Sequence, residues 1–151
     1  MKGRIHLKKL TDGIIDKMLF DYPKIDEYVE RRREEIEHPW IEQDENVGGG
    51  KSNKNSNPIE SMIITIDEDR IIRRLVEQKN AIYTACTHLK PEYLSVIRRY
   101  YFYNQARFKT MRVILREQNI PSMSFYRAFS AFKHEIMSNL ELEFLEFGER
   151  S

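Results

Sequence analysis

Cysteine is nearly absent from this chain of 151 residues. Cys86 stands alone, so no disulfide can form within one chain and the fold has to hold by packing. A single cysteine suits a reducing compartment, and a reducing cytoplasm is the expected location. Tryptophan is as scarce, Trp40 being the only one, and we expect it to anchor onto another surface of the chain. Five prolines and six glycines are few and clustered, which makes them punctuation between elements. No apolar run approaches the ~18 residues that a membrane span needs. The Lys- and Arg-bearing start has no apolar stretch long enough for a signal peptide. A soluble protein with no membrane contact is therefore expected.

Catalytic and metal-binding patterns are also missing. His6, His38, His88 and His134 are scattered, with no Cys or carboxylate partner at metal-ligand spacing. No nucleophile elbow or Cys/His pattern occurs. Gly48–Gly49–Gly50–Lys51–Ser52 looks like the end of a phosphate-binding loop, but Glu45 stands where that motif needs glycine, and no buried strand precedes it. The stretch reads as a hinge. We expect no enzyme, no metal and no cofactor.

What is present is helical periodicity. Apolar residues make up 40% and charged residues 32%, a balance that suits solvated helices. No segment alternates apolar and polar as a strand does, so the predicted fold class is all-α. A short helix is predicted over 12–20, capped by Thr11 or Asp12. Pro23 starts a second, with Ile25, Tyr28, Val29, Arg32 and Ile36 at helical spacing, ending before Pro39. Its other face carries acid–base pairs three or four residues apart. Residues 1–42 thus read as an N-terminal helical arm and 43–58 as a polar Gly/Asn/Ser linker. Residues 59–151 read as a helical domain. Within it Ile59–Leu89 is one long predicted helix. Ile64, Ile71, Gln78 and Ala85, with Leu75, Ile82 and Leu89 alongside, repeat every seven residues, a seam suited to dimerisation or to packing within the chain. A further helix is predicted over 92–103, with Leu94, Ile97 and Tyr101 inward and Arg98 and Arg99 in solvent.

The last helices carry the chemistry. Residues 107–134 read as helix, turn at Asn119–Ile120–Pro121, and helix, the plan of a helix-turn-helix. Phe108, Met111, Ile114 and Leu115 form the apolar face of the first helix, and Ile120 plugs the angle. In the second, Phe125, Phe129, Phe132 and Ile136 form one buried stripe. That leaves Ser122, Met123, Ser124, Arg127 and Ala131 outward. Charge is distributed to match: 91–137 holds eight basic and three acidic residues, whereas 21–47 holds four basic and ten acidic. A local basic excess is what phosphate neutralisation requires, although an ordinary solvated surface can also carry one. The candidate base-reading residues are Ser122, Met123, Ser124 and Arg127, with Arg127 suited to guanine and Met123 to a thymine methyl. Arg107, Lys109, Arg112, Tyr126 and Lys133 are the candidate phosphate contacts. A helix pair that never meets DNA has the same outline.

Three segments carry a family resemblance: Asp21–Tyr22–Pro23–Lys24–Ile25–Asp26–Glu27–Tyr28, the charge run Arg31–Glu37 with His38–Pro39, and Asp44–Glu45–Asn46–Val47–Gly48–Gly49–Gly50–Lys51–Ser52–Asn53–Lys54. Together they resemble the RinA-like phage transcriptional regulators. The resemblance implies an activator of phage late genes, for packaging and morphogenesis, whose C-terminal helices are similar to region 4 of bacterial sigma factors. It implies promoter DNA and host RNA polymerase as partners, the latter met by the acidic arm or the surface around Tyr101–Tyr103, and allows a homodimer. By that similarity Ser122, Met123, Ser124 and Arg127 are the reading positions. Ala128 departs from the aromatic residue such helices often carry. The rival expectations are a small terminase-like packaging protein, which also recognises DNA, and a helical interaction module that does not bind DNA.

Overall fold

Phe125, Phe129, Phe132 and Ile136 lie one helical turn apart, and the helix that carries them buries all four. The computed structural model describes residues 2–38, 58–60, 65–66 and 69–141, with side chains from residue 12. Its α-helices are α1 (Lys2–Asp21), α2 (Ile25–Glu37), α3 (Arg70–Thr87), α4 (Pro91–Ile97), α5 (Met111–Glu117) and α6 (Ser122–Asn139). Residues 58–60 and 65–66 are also helical, and no strand occurs among the described residues. The fold is all-α, as the sequence predicts.

The chain forms two compact units, Met1–Lys24 with Glu77–Ser151, and Ile25–Val76. Packing therefore divides the chain differently from the arm, linker and domain read from composition. The first 24 residues join the C-terminal helices, and the division falls within α3.

In the first unit one core gathers Ile15, Met18 and Leu19 of α1, Ala81, Ile82 and Ala85 of α3, Val96 and Ile97 of α4, and Ile114 and Leu115 of α5 around the α6 stripe. Ile82 and Ala85 are fully buried and Leu89 packs against the same core, so this end of the heptad seam is packing within the chain. Ile64 and Trp40 lie outside the described residues, as do 43–57 with their Gly48–Lys54 loop.

Several helix boundaries differ from expectation, each for a local reason. α1 starts at Lys2, and no proline interrupts the chain between Lys2 and Thr11; Asp12 is interior, and its carboxylate accepts a hydrogen bond from Lys133 at 3.1 Å. Pro23 sits in a 3-10 turn, Tyr22–Lys24, ahead of α2. The long predicted helix does not pass Asp69. One carboxylate oxygen of Asp69 caps α3 by accepting from the backbone N–H groups of Ile71 and Ile72, both at 3.0 Å. The other accepts from Arg32 Nε at 3.1 Å and Nη2 at 2.8 Å, all within the second unit. This guanidinium and the backbone donors hold the Asp69 carboxyl below its ordinary range.

The predicted helix over 92–103 is α4 followed by a π turn, Arg98–Phe102, closed by Tyr103 N–H donating to Arg98 O at 2.7 Å. The wider turn lets consecutive rings meet α1 and its end. Phe20 lies 6.0 Å from Tyr100 and 4.8 Å from Tyr101, and Tyr22 lies 4.8 Å from Phe102, between centroids. Tyr101 is buried, and its hydroxyl donates to Asp16 at 2.8 Å. Burial among these rings and the Asp16 carboxylate drive its phenol pKa far upward. Tyr101 thus faces inward, as expected, and Tyr103 is the exposed ring of this stretch. Arg99, expected in solvent, is held inside a polar cluster by Gln105 and Glu117.

Removing the Tyr101 hydroxyl leaves Asp16 without its donor. Tyr101→Phe is expected to lose about 1–2 kcal/mol of stability, and Phe129→Ala about 3–5 kcal/mol, both read from urea unfolding followed by circular dichroism.

Candidate nucleic-acid interface

α5 begins where Thr110 Oγ1 accepts from the Val113 N–H at 3.2 Å. It therefore starts after Arg107 and Phe108, and Phe108 is exposed rather than part of its apolar face. α5 ends in a Schellman motif. Ile120 N–H donates to Leu115 O at 2.9 Å and Asn119 N–H to Arg116 O at 3.2 Å. Asn119 takes the left-handed conformation this needs, with φ 56°. Ile120 is buried in the angle between the helices, as expected. Pro121 is the cap residue of α6 and Ser122 its first helical residue; Phe125 N–H donates to Pro121 O at 3.1 Å.

The α6 stripe faces the core, so Ser122, Met123, Ser124 and Arg127 all face solvent. Met123 is 79% exposed. Arg127 has no partner among the described residues. Arg107, Arg112 and Tyr126 are exposed too, Tyr126 with its ring edge against Phe125.

Two other predicted phosphate contacts are placed differently. Lys109 Nζ donates to Glu117 Oε1 at 3.0 Å and Oε2 at 2.8 Å. Arg99 Nη2 donates to Glu117 Oε1 at 2.6 Å. Lys109 and then Arg99 hold the Glu117 carboxyl below its usual range. Lys133 Nζ donates to Asp12 and lies 4.7 Å from the Phe129 ring centre, tying α6 to α1. Both lysines are half-buried, each already held by a carboxylate of this chain.

Beside α6 lies a groove of about 270 Å³ lined by Ala85, Leu89, Tyr93, Ala128, Ala131 and Phe132, with His88, Lys90 and Glu135 at its rim. Ala131 is exposed, as expected, and also lines this groove. Burial pushes the Cys86 thiol up to about 11, so it stays protonated near neutral pH. Among the described residues no cluster of His, Cys, Asp or Glu could hold a metal ion, and no helix is long and apolar enough to cross a membrane.

Residues 13–138 match the family described as Protein of unknown function, DUF722. The chain belongs to the DUF722 family. No curated protein and no solved structure matches it. The DUF722 match begins inside α1 and ends in the last turn of α6. It takes in Asp16, Tyr101, Glu117, the Asn119 turn and the exposed start of α6.

Sequence reasoning missed Glu117, Thr110 and Arg116 in this DUF722 protein. Thr110 was legible as a cap ahead of an apolar run. Arg116, exposed, follows Arg112 by four residues. Nothing local marks Glu117 as the partner of Arg99.

Two outcomes follow from this geometry. Asn119→Val is expected to lose about 1–2 kcal/mol, from the left-handed backbone it must adopt, whereas Asn119→Gly retains wild-type stability; thermal unfolding reads both. Glu117 has a depressed folded pKa, so its contribution is full above the unfolded value, about 4.3, and is lost as pH falls through the folded value. In acid unfolding, Glu117→Gln should flatten that part of the wild-type fall.

Proposed function

We propose that α5, its turn and α6 form a helix-turn-helix that binds double-stranded DNA in a sequence-dependent way, in a transcriptional regulator. The observation that carries this reading is the start of α6. Ser122, Met123, Ser124 and Arg127 stand exposed on a helix whose opposite face is locked into the core through Phe125, Phe129 and Phe132. A recognition helix has that form: a rigid rod anchored on one side, with its first two turns offered to the major groove. In this reading Arg127 pairs with guanine, Ser124 with a base edge, and Met123 with a thymine methyl. Arg107, Arg112 and Tyr126 hold phosphates.

The finer reading is an activator of phage late genes that acts with host RNA polymerase in the bacterial cytoplasm, as a monomer or homodimer. Its support is the sequence resemblance in 21–54. Exposed Tyr103 and Phe108, beside Arg107, supply aromatic and arginine side chains of the kind that anchor protein contacts. The small terminase-like reading shares the helix-turn-helix and differs in assembling as a ring, which mass in solution decides.

Selection from a random duplex library with the full chain should return one preferred site. Arg127→Ala should relax preference at one base pair, costing about 1–3 kcal/mol there. Library enrichment no better than background would end the reading, and an unchanged motif would remove Arg127 from it.

A further inference from the structure

We infer that Arg112 and Arg116 form a phosphodiester-binding site on the outer face of α5, and that Glu117 limits this site by withholding Arg99 and Lys109. The inference rests on the helix-turn-helix reading and assigns the strand contact within it.

From Tyr93 to Arg116 the chain has six basic residues and no acidic one; Glu117 is the first carboxylate after Glu92. Its two oxygens are taken up by Lys109 and Arg99. Arg112 and Arg116 are left one turn apart on α5, both exposed, and neither has a partner among the described residues. The buried side of α5 is Ile114 and Leu115, so Arg112 and Arg116, with half-exposed Val113 beside them, form its outer face. Two like charges one turn apart repel. An anion between them relieves that repulsion, and guanidinium groups bind phosphate oxygens in pairs.

The position of the pair within the motif selects the anion. In a docked helix-turn-helix the first helix crosses the sugar–phosphate strand while the second enters the groove. Arg112 and Arg116 lie on that first helix. Lys109 and Arg99 would widen the basic surface along the strand, but Glu117 already holds them as an internal stand-in for phosphate. The strand therefore meets two arginines on α5, which sets its register relative to Arg127.

The test is equilibrium binding of the full chain to a fluorescein-labelled duplex of mixed sequence across a range of chloride concentrations. Arg112→Gln and Arg116→Gln should each lower the slope of log K against log salt by about 1. Lys109→Gln should leave the slope unchanged. Glu117→Gln should raise it by about 1 to 2, and adding Lys109→Gln to that variant should take back about 1. Circular dichroism checks that each variant is folded. Where a glutamine variant is not, Arg→Lys at the same position keeps the slope and weakens binding. Unchanged slopes in Arg112→Gln and Arg116→Gln, with wild-type duplex binding intact, overturn this site and leave the helix-turn-helix reading standing. Competition by inorganic phosphate beyond ionic-strength-matched chloride overturns the phosphodiester assignment in favour of a general anion site. A wild-type chain that binds no duplex overturns both readings.

Discussion

The hydrogen bond from Tyr101 to Asp16 is the constraint on which the first unit depends. Tyr101 sits in a π turn, its ring lies 6.0 Å from Phe129 of α6, and its hydroxyl reaches α1 at 2.8 Å. One side chain thereby fixes three elements: α1, the π turn and the helix that bears the exposed serines and Arg127. A regular α-helical turn would rotate Tyr100, Tyr101 and Phe102 away from Phe20 and Tyr22. The π geometry, normally unfavourable, persists because those aromatic contacts and the buried hydroxyl hold it.

Two carboxylates work in a related way, each dividing its oxygens between tasks. Asp69 caps a helix with one oxygen and receives Arg32 with the other. Glu117 takes Lys109 on both oxygens and Arg99 on one. Exposed ion pairs contribute little to stability, so the effect of Glu117 is chiefly geometric. It joins residues 99–109 to α5 and occupies two of the cations of this segment. Net charge along a segment therefore overstates what a partner meets: 91–137 is strongly basic, yet Arg99, Lys109 and Lys133 are already paired within the chain.

The sequence made legible what depends on local periodicity. The α6 stripe, the Ile120 plug and the outward set Ser122, Met123, Ser124 and Arg127 all follow from a 3.6-residue repeat, and the structure places each as expected. Boundaries set by a single side chain were harder to see. Asp69 stops a predicted helix through its own carboxylate, and Thr110 delays another. Least legible were the long-range contacts. Lys133 reads as solvent-facing by helical phase alone, and only the approach of Asp12, 121 residues earlier, turns it inward. The membership of α1 in the first unit was hidden for the same reason, since composition assigns the N-terminal residues to an arm whereas packing assigns them to the core.

The contacts from α1 to the C-terminal helices also impose an order of events on the chain. Asp12 meets Lys133 across 121 residues and Asp16 meets Tyr101 across 85. Emerging from the ribosome, α1 is made long before either partner exists, with Ile15, Met18 and Leu19 still uncovered. The core can close only after α6 has been synthesised, and closure then draws the elements of the first unit together. Folding of the first unit is thus tied to synthesis through α6, and a chain truncated before Lys133 lacks part of the helix against which α1 rests.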